Sequence, residues 1–237
     1  MAVNQSYPGG AGRSRRSGGV EIDFIGRYHN ATKRDYIQRV VEHDKAECAS
    51  VAKQWGFDYW DGDRQFGFGG MRYDGRWLPL AEDLVAHYGL RPGDKVLDIG
   101  CGKAFLLYEL TRACPGIEVA GLDISDYGIA NAKEEVRSVL RQGNATSLPW
   151  ADGTFDLVIS INTFHNLQVF ELDQALREMQ RVGKGRGYLC VESYRTEREK
   201  VNLMYWQLTC EGFHRPEGWL WLYDRAGYTG DYGFIYF

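Results

Sequence analysis

Several features that would assign a protein to a class at once are missing from this sequence of 237 residues. No apolar run approaches the roughly 18 residues of a membrane-spanning helix, and none follows the basic N-terminus as it would in a secretory signal peptide. Basic residues do not outnumber acidic ones, at 28 against 32, so the whole-chain charge does not indicate a nucleic-acid binder. We therefore expect a cytoplasmic protein that binds neither membranes nor nucleic acids.

Potential metal ligands are equally sparse. The chain has five cysteines, an odd number, and no two of them have the C-x-x-C spacing of zinc sites. The histidines show no paired spacing, and no group of His, Asp and Glu has the spacing of metal ligands. We therefore predict reduced thiols and no metal site.

The first ninety residues divide into a tail, helices and a loop. Residues 1–20 are rich in Gly, Ser and Arg, which predicts a flexible tail, and residues 21–90 begin with a predicted helix over Thr32–Trp55. Residues 57–77, which we call the lid, interleave aromatic residues, glycines and charges without helical or strand periodicity. Such a loop is costly to order unless it packs on something or covers a site, so we predict that it covers the substrate.

Residues 91–237 alternate between strand-like and helix-like segments, which predicts an α/β fold with a doubly wound, mostly parallel sheet and helices on both faces. The predicted strands are Val96–Ile99, Ile117–Leu122, Leu140–Gly143, Phe155–Ile161, Tyr188–Val191, Leu203–Cys210 and Tyr232–Phe237. The predicted helices are Pro79–Tyr88, Ala104–Arg112, Ser125–Val139, Gln168–Val182 and Pro216–Ala226.

A glycine loop and a later acid carry the clearest chemistry. Gly100-Cys101-Gly102 lies between a predicted strand and helix, where glycines let the backbone approach a ligand and the helix N-terminus favours an anionic group. Asp123 ends the next strand, where doubly wound sheets hold ribose hydroxyls. The G-x-G-x-x-G fingerprint of dinucleotide sites fails, and Asp98 suits a ligand with an ammonium group rather than a pyrophosphate.

These residues resemble the class I S-adenosylmethionine-dependent methyltransferases. The matching stretches are Leu97–Gly102 as the first motif, Asp123 as the ribose acid, Gly143–Pro149 and Phe155–Ser160 as the adenine-side loop and fourth strand, and Ala175–Val182 as the next helix. The resemblance runs from about Arg91 to Val191, and more faintly to Phe237. Two positions depart from the family pattern, because Ala104 replaces the third glycine and Asn144 replaces a common Asp.

The resemblance implies S-adenosylmethionine as the cofactor and S-adenosylhomocysteine as the product. It also implies a role for each matching residue. The residues implied in cofactor binding are, for the methionine part, Asp98, Gly100, Cys101, Gly102 and Asn162; for the ribose, Asp123; and for the adenine, Ile124, Asn144 and Ala145.

Candidates for catalysis follow the fourth and fifth predicted strands, because strand ends meet at the reacting edge of such a sheet. His165 is the best candidate base by its ordinary pKa, and Glu192 could bind a substrate amine or act as a base. The alternatives are a histidine that packs or caps the next helix and an ordinary strand-end carboxylate. The lid residues that we predict to contact the substrate are Trp60, Asp61, Arg64, Phe68, Arg72, Tyr73 and Trp77.

We therefore predict methyl transfer from S-adenosylmethionine to an oxygen or nitrogen of a small molecule, such as a sugar or a natural-product scaffold. A carbon acceptor is also open. The alternatives are a protein or RNA methyltransferase, a non-catalytic S-adenosylmethionine-binding module and, more distantly, a nucleotide-dependent oxidoreductase. A homodimer is left open, since no sequence feature decides the oligomeric state.

Overall fold

A computed structural model of the protein describes residues 18–30 and 34–237, and it contains a six-stranded sheet in the order β3-β2-β1-β4-β5-β6. Every pairing between neighbouring strands is parallel, as the sequence predicts. The strands are β1 Lys95–Ile99, β2 Glu118–Asp123, β3 Leu140–Gln142, β4 Leu157–Ile161, β5 Gly187–Glu192 and β6 Asp231–Ile235.

The described residues form eleven α-helices and one short 3-10 turn at Phe164–Asn166. The helices are α1 Gly26–Asn30, α2 Tyr36–Val41, α3 Lys45–Ala52, α4 Phe57–Trp60, α5 Leu78–Tyr88, α6 Phe105–Ala113, α7 Asp126–Ala130, α8 Glu134–Arg137, α9 Val169–Val182, α10 Glu197–Trp206 and α11 Pro216–Ala226. The order of strands reverses between β1 and β4, and the ends of these two strands therefore flank a crevice.

Both faces of the sheet are covered because the central strands are apolar at nearly every position. Val96 packs into a cluster with Leu84 of α5 and Leu107 of α6 on one face. Leu97, the next residue of β1, packs on the other face with Leu176 of α9 and with α11. The alternation of side chains along β1 thus joins two apolar layers, and it holds the polar ends of the strands at one edge.

The predicted single helix over Thr32–Trp55 is wrong, because the structure has α2 and α3 in its described part. Asp35 caps α2 by accepting from the backbone N–H of Gln38 at 2.9 Å. Asp44 caps α3 by accepting from Ala46 at 2.8 Å, so an acid that fits the helical pattern starts a second helix instead. The predicted helix Ser125–Val139 is likewise divided into α7 and α8.

The predicted strand over Leu203–Cys210 is also wrong, because Leu203 lies within helix α10. Thr196 accepts from the backbone N–H of Glu199 at 3.2 Å, and the Glu199 side chain accepts from the N–H of Thr196 at 3.4 Å. This reciprocal capping box starts the helix, in which Leu203 is buried while Val201, Met204 and Tyr205 are exposed.

The outer edge of β6 is paired with residues near the N-terminus. The N–H of Gly19 donates to the carbonyl of Thr229 at 2.8 Å, and Ile22 donates to Tyr232 at 2.7 Å. Residues 1–17 of the predicted tail lie outside the described residues, while Gly19 and Val20 contact β6. The extent of the tail therefore stays a prediction.

All five cysteines are buried free thiols. Within residues 18–30 and 34–237, no helix is both long and apolar enough to cross a bilayer. In the same part of the chain, no three side chains of the His, Cys, Asp or Glu type stand together as a group that could hold a metal ion.

Candidate active site

A cavity of about 390 Å³ opens at the carboxyl ends of β1, β2 and β4, and the lid lies over it. Its floor includes the glycine loop and the residues that follow β2 and β4. This is the crevice at which open parallel sheets bind their ligands, because the order of strands reverses there.

The glycine loop passes close to its neighbours in conformations that glycine favours. Gly100 has φ of +82°, and a Cβ built on it would stand 2.0 Å from Oγ1 of Thr163. Gly102 has φ of +53°, and a Cβ there would stand 2.5 Å from the ring of Trp60. A side chain at Gly100 would clash with Thr163, and one at Gly102 would clash with Trp60 of the lid. The backbone itself therefore forms the floor of the cavity.

We expect Gly100→Ala to destabilise the protein by about 2 kcal/mol more than Gly153→Ala, because the new methyl group clashes with Thr163 as well as straining the backbone. Gly153 is the matched control, since its φ is +60° and nothing lies within 4 Å of a Cβ built there. Urea unfolding of the two variants measures the difference. Equal losses of unfolding free energy would show that the loop has room for a side chain.

Three residues other than glycine have positive φ among the described residues, and all three lie in or beside this cavity. Trp55 has φ of +54°, Ala104 +57° and Asn162 +58°. Left-handed backbone costs an alanine or tryptophan about 1 kcal/mol or more, and such strain concentrates at functional sites. Ala104 therefore has a left-handed backbone conformation of the kind that glycine favours, although it carries a side chain.

Asp98 and Asp123 place two buried carboxylates in the floor. Asp123 accepts from the backbone N–H of Gly102 at 2.7 Å and from that of Ser125 at 2.8 Å, and each of its oxygens can still accept a further hydrogen bond. Burial, together with the charge of Asp123, raises the pKa of Asp98 to about 8. Burial raises the pKa of Asp123 as well, although its backbone hydrogen bonds oppose this.

The charges of the cavity select the kind of ligand. The described residues that line it include Asp98, Asp123 and Glu171 but no lysine, arginine or histidine. Two desolvated carboxylates favour a cation and repel a pyrophosphate, which supports the exclusion of a dinucleotide. These side chains fit S-adenosylmethionine, because Asp98 can accept from its ammonium group and Asp123 from its ribose hydroxyls.

The other residues predicted to bind the cofactor also line the cavity. Ile124 is 51% exposed although it is apolar, which suits a planar group stacked against it. Ala145 lies on the same side, and Oδ1 of Asn144 accepts from the backbone N–H of Thr146 at 2.9 Å. Asn144 thus shapes its own loop through its side-chain oxygen. The binding roles of these residues, and of Asn162 and Cys101 in the same lining, stay predictions.

Three of the predicted lid residues line the cavity, namely Trp60, Phe68 and Trp77. The rings of Trp60 and Phe68 are stacked with centroids 5.4 Å apart, and the indole N–H of Trp60 donates to Oγ of Ser125 at 2.8 Å. The sequence prediction missed Trp55, Tyr59 and Met71, which extend the same apolar roof.

The other four predicted lid residues, Asp61, Arg64, Arg72 and Tyr73, lie outside the lining of this cavity. Asp61 accepts from Nζ of Lys103 at 2.6 and 2.7 Å and from the hydroxyl of Tyr127 at 2.8 Å. The Tyr73 hydroxyl donates to Oε1 of the buried Glu109 at 2.7 Å. Asp61 and Tyr73 therefore fasten the lid to the glycine loop and to α6.

Lys103 is the clearest functional residue that the sequence prediction missed. Its side chain is 6% exposed, and it also donates to the carbonyl of Met71 at 2.9 Å. A lysine within a glycine loop was the available signal. Of the two lid arginines in the prediction, Arg72 is exposed and Arg64 reaches a different cavity.

His165 and Glu192 lie together behind the wall of the cavity rather than in its lining. Nδ1 of His165 accepts from the backbone N–H of Glu192 at 3.3 Å, and Nε2 lies 3.5 Å from Oε2 of Glu192. Burial lowers the pKa of His165 to about 3 and raises that of Glu192 to about 8. Burial thus favours the uncharged form of both groups, and their predicted catalytic roles stay predictions.

Four residues near these candidates do line the cavity, and the sequence prediction passed over them as contacts: Ile161, Thr163, Asn166 and Leu167. Ile161 ends β4, and the other three follow it, where the chain turns through the short 3-10 segment. That turn directs the His165 side chain into the protein, while its neighbours Thr163 and Asn166 face the cavity.

The chain is similar to known methyltransferases in sequence and fold. A family model described as "Methyltransferase domain" matches residues 90–226, more than half of the chain. The chain is 33% identical over 128 residues to demethylmenaquinone methyltransferase from Symbiobacterium thermophilum, covering 50% of each protein. It is 33% identical over 183 residues to the sterol 24-C-methyltransferase ERG6B from Gibberella zeae, covering 70% of this chain and 47% of that one. The chain thus spans about half the length of these curated relatives.

Among solved structures, the YcgJ protein from Bacillus subtilis is similar with a TM-score of 0.52. The identity is 22%, over 65% of this chain and 68% of that chain, so the likeness is one of fold. The family match, the strand order and the buried acids beside the glycine loop agree, and the chain therefore belongs to the class I S-adenosylmethionine-dependent methyltransferase family.

Proposed function

We propose that this chain transfers a methyl group from S-adenosylmethionine to a small, largely apolar, ring-bearing molecule. One observation carries the proposal. The cavity combines a floor whose charged side chains are carboxylates with a roof of aromatic side chains and a methionine. The floor suits a cationic cofactor, and the roof suits an apolar acceptor.

In this proposal, the chain's own residues bind the cofactor, orient it and exclude water from the cavity. When bound, S-adenosylmethionine supplies a methyl group on a sulfonium, which a nucleophile takes by in-line displacement. Asp98 holds the ammonium group, Asp123 holds the ribose, and the backbone of Gly100 allows close approach. Trp60 and Phe68 exclude water and present aromatic rings, which attract a cation.

The side chains of the lid determine which methyl acceptors the cavity favours. Tyr59, Phe68, Met71 and Trp77 offer few hydrogen-bond donors, so they favour a natural-product ring over a sugar. Since the described lining holds no histidine or lysine, a nucleophile that ionises easily, such as a phenol or an enol, needs the least help from the protein. Such an acceptor reacts at oxygen or at the adjacent carbon. The names of the quinone and sterol relatives support an apolar, ring-bearing acceptor.

Binding of the cofactor is expected to release a proton from Asp98. Its pKa of about 8 in the free protein means that it is protonated at pH 6.5, whereas an ammonium partner favours the ionised form. Affinity should therefore rise about tenfold per pH unit below pH 8. Calorimetry with S-adenosylhomocysteine in buffers of different ionisation enthalpy measures the release. Asp98→Asn should abolish it, and an unchanged release in that variant would remove Asp98 from the ammonium site.

The proposal is tested by incubating the protein with methyl-labelled S-adenosylmethionine and a panel of phenols, enols, amines and sugars. We expect label in the phenol or enol products, and less of it in the sugars. A chain that binds S-adenosylhomocysteine but labels none of these would support the non-catalytic binding module instead. Label in protein or RNA alone would support the macromolecular alternatives.

A further inference from the structure

A second cavity, of about 270 Å³, lies behind the lid, and no step of the proposed function uses it. Its walls come from α2, α3, the lid and the end of α10. Three cationic side chains line it, namely Arg39, Lys45 and Arg64. We call this second cavity, which the ring of Trp206 also lines, the basic cavity.

The positive charges of the basic cavity lack acidic partners. Nε of Arg39 donates to the carbonyl of Trp206 at 2.8 Å, and Nη1 donates to that of Arg64 at 3.2 Å. Lys45 donates to the carbonyls of Tyr205, at 3.1 Å, and Gln207. In the part of the chain that the structure describes, the three cations bond to backbone carbonyls and form no salt bridge.

Two acids line the same cavity, and both accept hydrogen bonds from Gln38 rather than from the cations. Asp35 accepts from the backbone N–H of Gln38, and Glu42 accepts from Nε2 of Gln38 at 2.6 Å. Residues 1–17 and 31–33, which the structure does not describe, contain no Asp or Glu. Among the described residues, the lining thus holds three cationic side chains against two acids, and no ion pair joins them.

The cations of the basic cavity repel one another, and burial and this repulsion lower the pKa values of Lys45 and Arg39. Burial, together with the charge of Arg39, lowers the pKa of Lys45 to about 8. Burial lowers the pKa of Arg39 too, and the charge of Arg64 adds to the effect. The guanidinium groups of Arg39 and Arg64 stand 4.8 and 5.2 Å from the Trp206 ring, so an aromatic face gathers the two charges at one place.

We propose that the basic cavity binds a small anion with at least two negative charges, carried by phosphate or carboxylate groups. Guanidinium and ammonium groups are the usual ligands of such oxygens, and the volume suits a small molecule rather than a polymer. The site is distinct from the cofactor cavity. A cluster of Cys48, Ala52 and Leu208, with Tyr59 packed against it, stands between the two.

The bound anion is positioned to hold the lid. The Arg64 side chain donates to the carbonyl of Gly67, and the N–H of Phe68 donates to the carbonyl of Tyr59 at 2.8 Å. Tyr59 and Phe68 both line the cofactor cavity. An anion that immobilises Arg64 therefore orders the segment that forms the aromatic roof, and it does so from outside the cofactor site.

The test titrates the cofactor-free protein with inorganic phosphate and, separately, with succinate, by calorimetry at constant ionic strength. We expect saturable binding of at least one probe, which also identifies the anionic group. Arg64→Gln and Lys45→Gln should each weaken it about tenfold. Arg72→Gln is the matched control, because Arg72 is an exposed lid arginine outside both cavities and should bind as the wild type does.

A second measurement guards against variants that unfold. Hydrogen exchange of residues 64–68 should slow when the bound probe is added to the wild-type protein. The proposal is overturned if neither probe binds saturably, or if both cavity variants bind as tightly as Arg72→Gln. Because the cofactor is absent from these experiments, their outcome does not depend on whether the chain transfers a methyl group.

Discussion

Replacing Asp123 with alanine should weaken binding of S-adenosylhomocysteine at least about 100-fold, because two charge-assisted hydrogen bonds to the ribose are worth about 3 kcal/mol or more. The same carboxylate also accepts from the N–H groups of Gly102 and Ser125, so the variant loosens the glycine loop as well. Calorimetry at low temperature, where the variant stays folded, measures the affinity.

Two further variants separate these effects. Asp126→Ala removes an exposed acid three residues later and should leave the affinity unchanged. Asp123→Asn keeps one side-chain oxygen, which can still accept hydrogen bonds from the loop. This variant should therefore lose less affinity for S-adenosylhomocysteine than the alanine variant does. If Asp123→Ala binds S-adenosylhomocysteine as tightly as the wild type, the ribose does not bind at the end of β2.

Asp61→Ala should destabilise the protein by about 3 kcal/mol, because it leaves the ammonium group of Lys103 buried without its carboxylate. Hydrogen bonds from Lys103 and Tyr127 lower the pKa of Asp61, and they outweigh the opposing effect of burial. A lowered folded-state pKa means that the ion pair stabilises the protein above the unfolded pKa. This stabilisation is lost as pH falls through the folded pKa.

The matched control is Asp63→Ala, which removes an exposed acid from the same lid and should change the unfolding free energy by less than about 0.5 kcal/mol. The double variant Asp61→Ala/Lys103→Met should recover much of the loss, because it removes the unpaired charge along with its partner. Hydrogen exchange should also show a faster lid in Asp61→Ala. Equal stability of the Asp61 and Asp63 variants would show that the contact with Lys103 does not hold the lid closed.

The floor of the cavity was predictable because it depends on local sequence. A glycine loop, Asp98 two residues before it and Asp123 at the next strand end follow from the order of strand, turn and helix, and β1 and β2 have the expected places. The predicted sheet is confirmed as well, since apolar runs separated by helical segments leave few alternatives to a parallel sheet.

What the sequence prediction missed depends on contacts between distant residues. Nothing in the local pattern shows that Lys103 reaches Asp61, which lies 42 positions earlier. Nor does it show that Arg64 points away from the cofactor cavity toward Trp206. His165 was chosen by its ordinary pKa, and only the tertiary structure shows that it is buried beside Glu192. The helix errors had local signals, since Asp44 and the Thr196–Glu199 capping box both mark helix starts.

The most direct test of the account is the crystal structure of the protein with S-adenosylhomocysteine. We predict that the amino group contacts Asp98, that the ribose hydroxyls donate to Asp123, and that the sulfur faces the rings of the lid. The adenine should lie between Ile124 and Ala145. A nucleoside bound outside this cavity, or bound within it without contact to Asp98 and Asp123, would contradict the account.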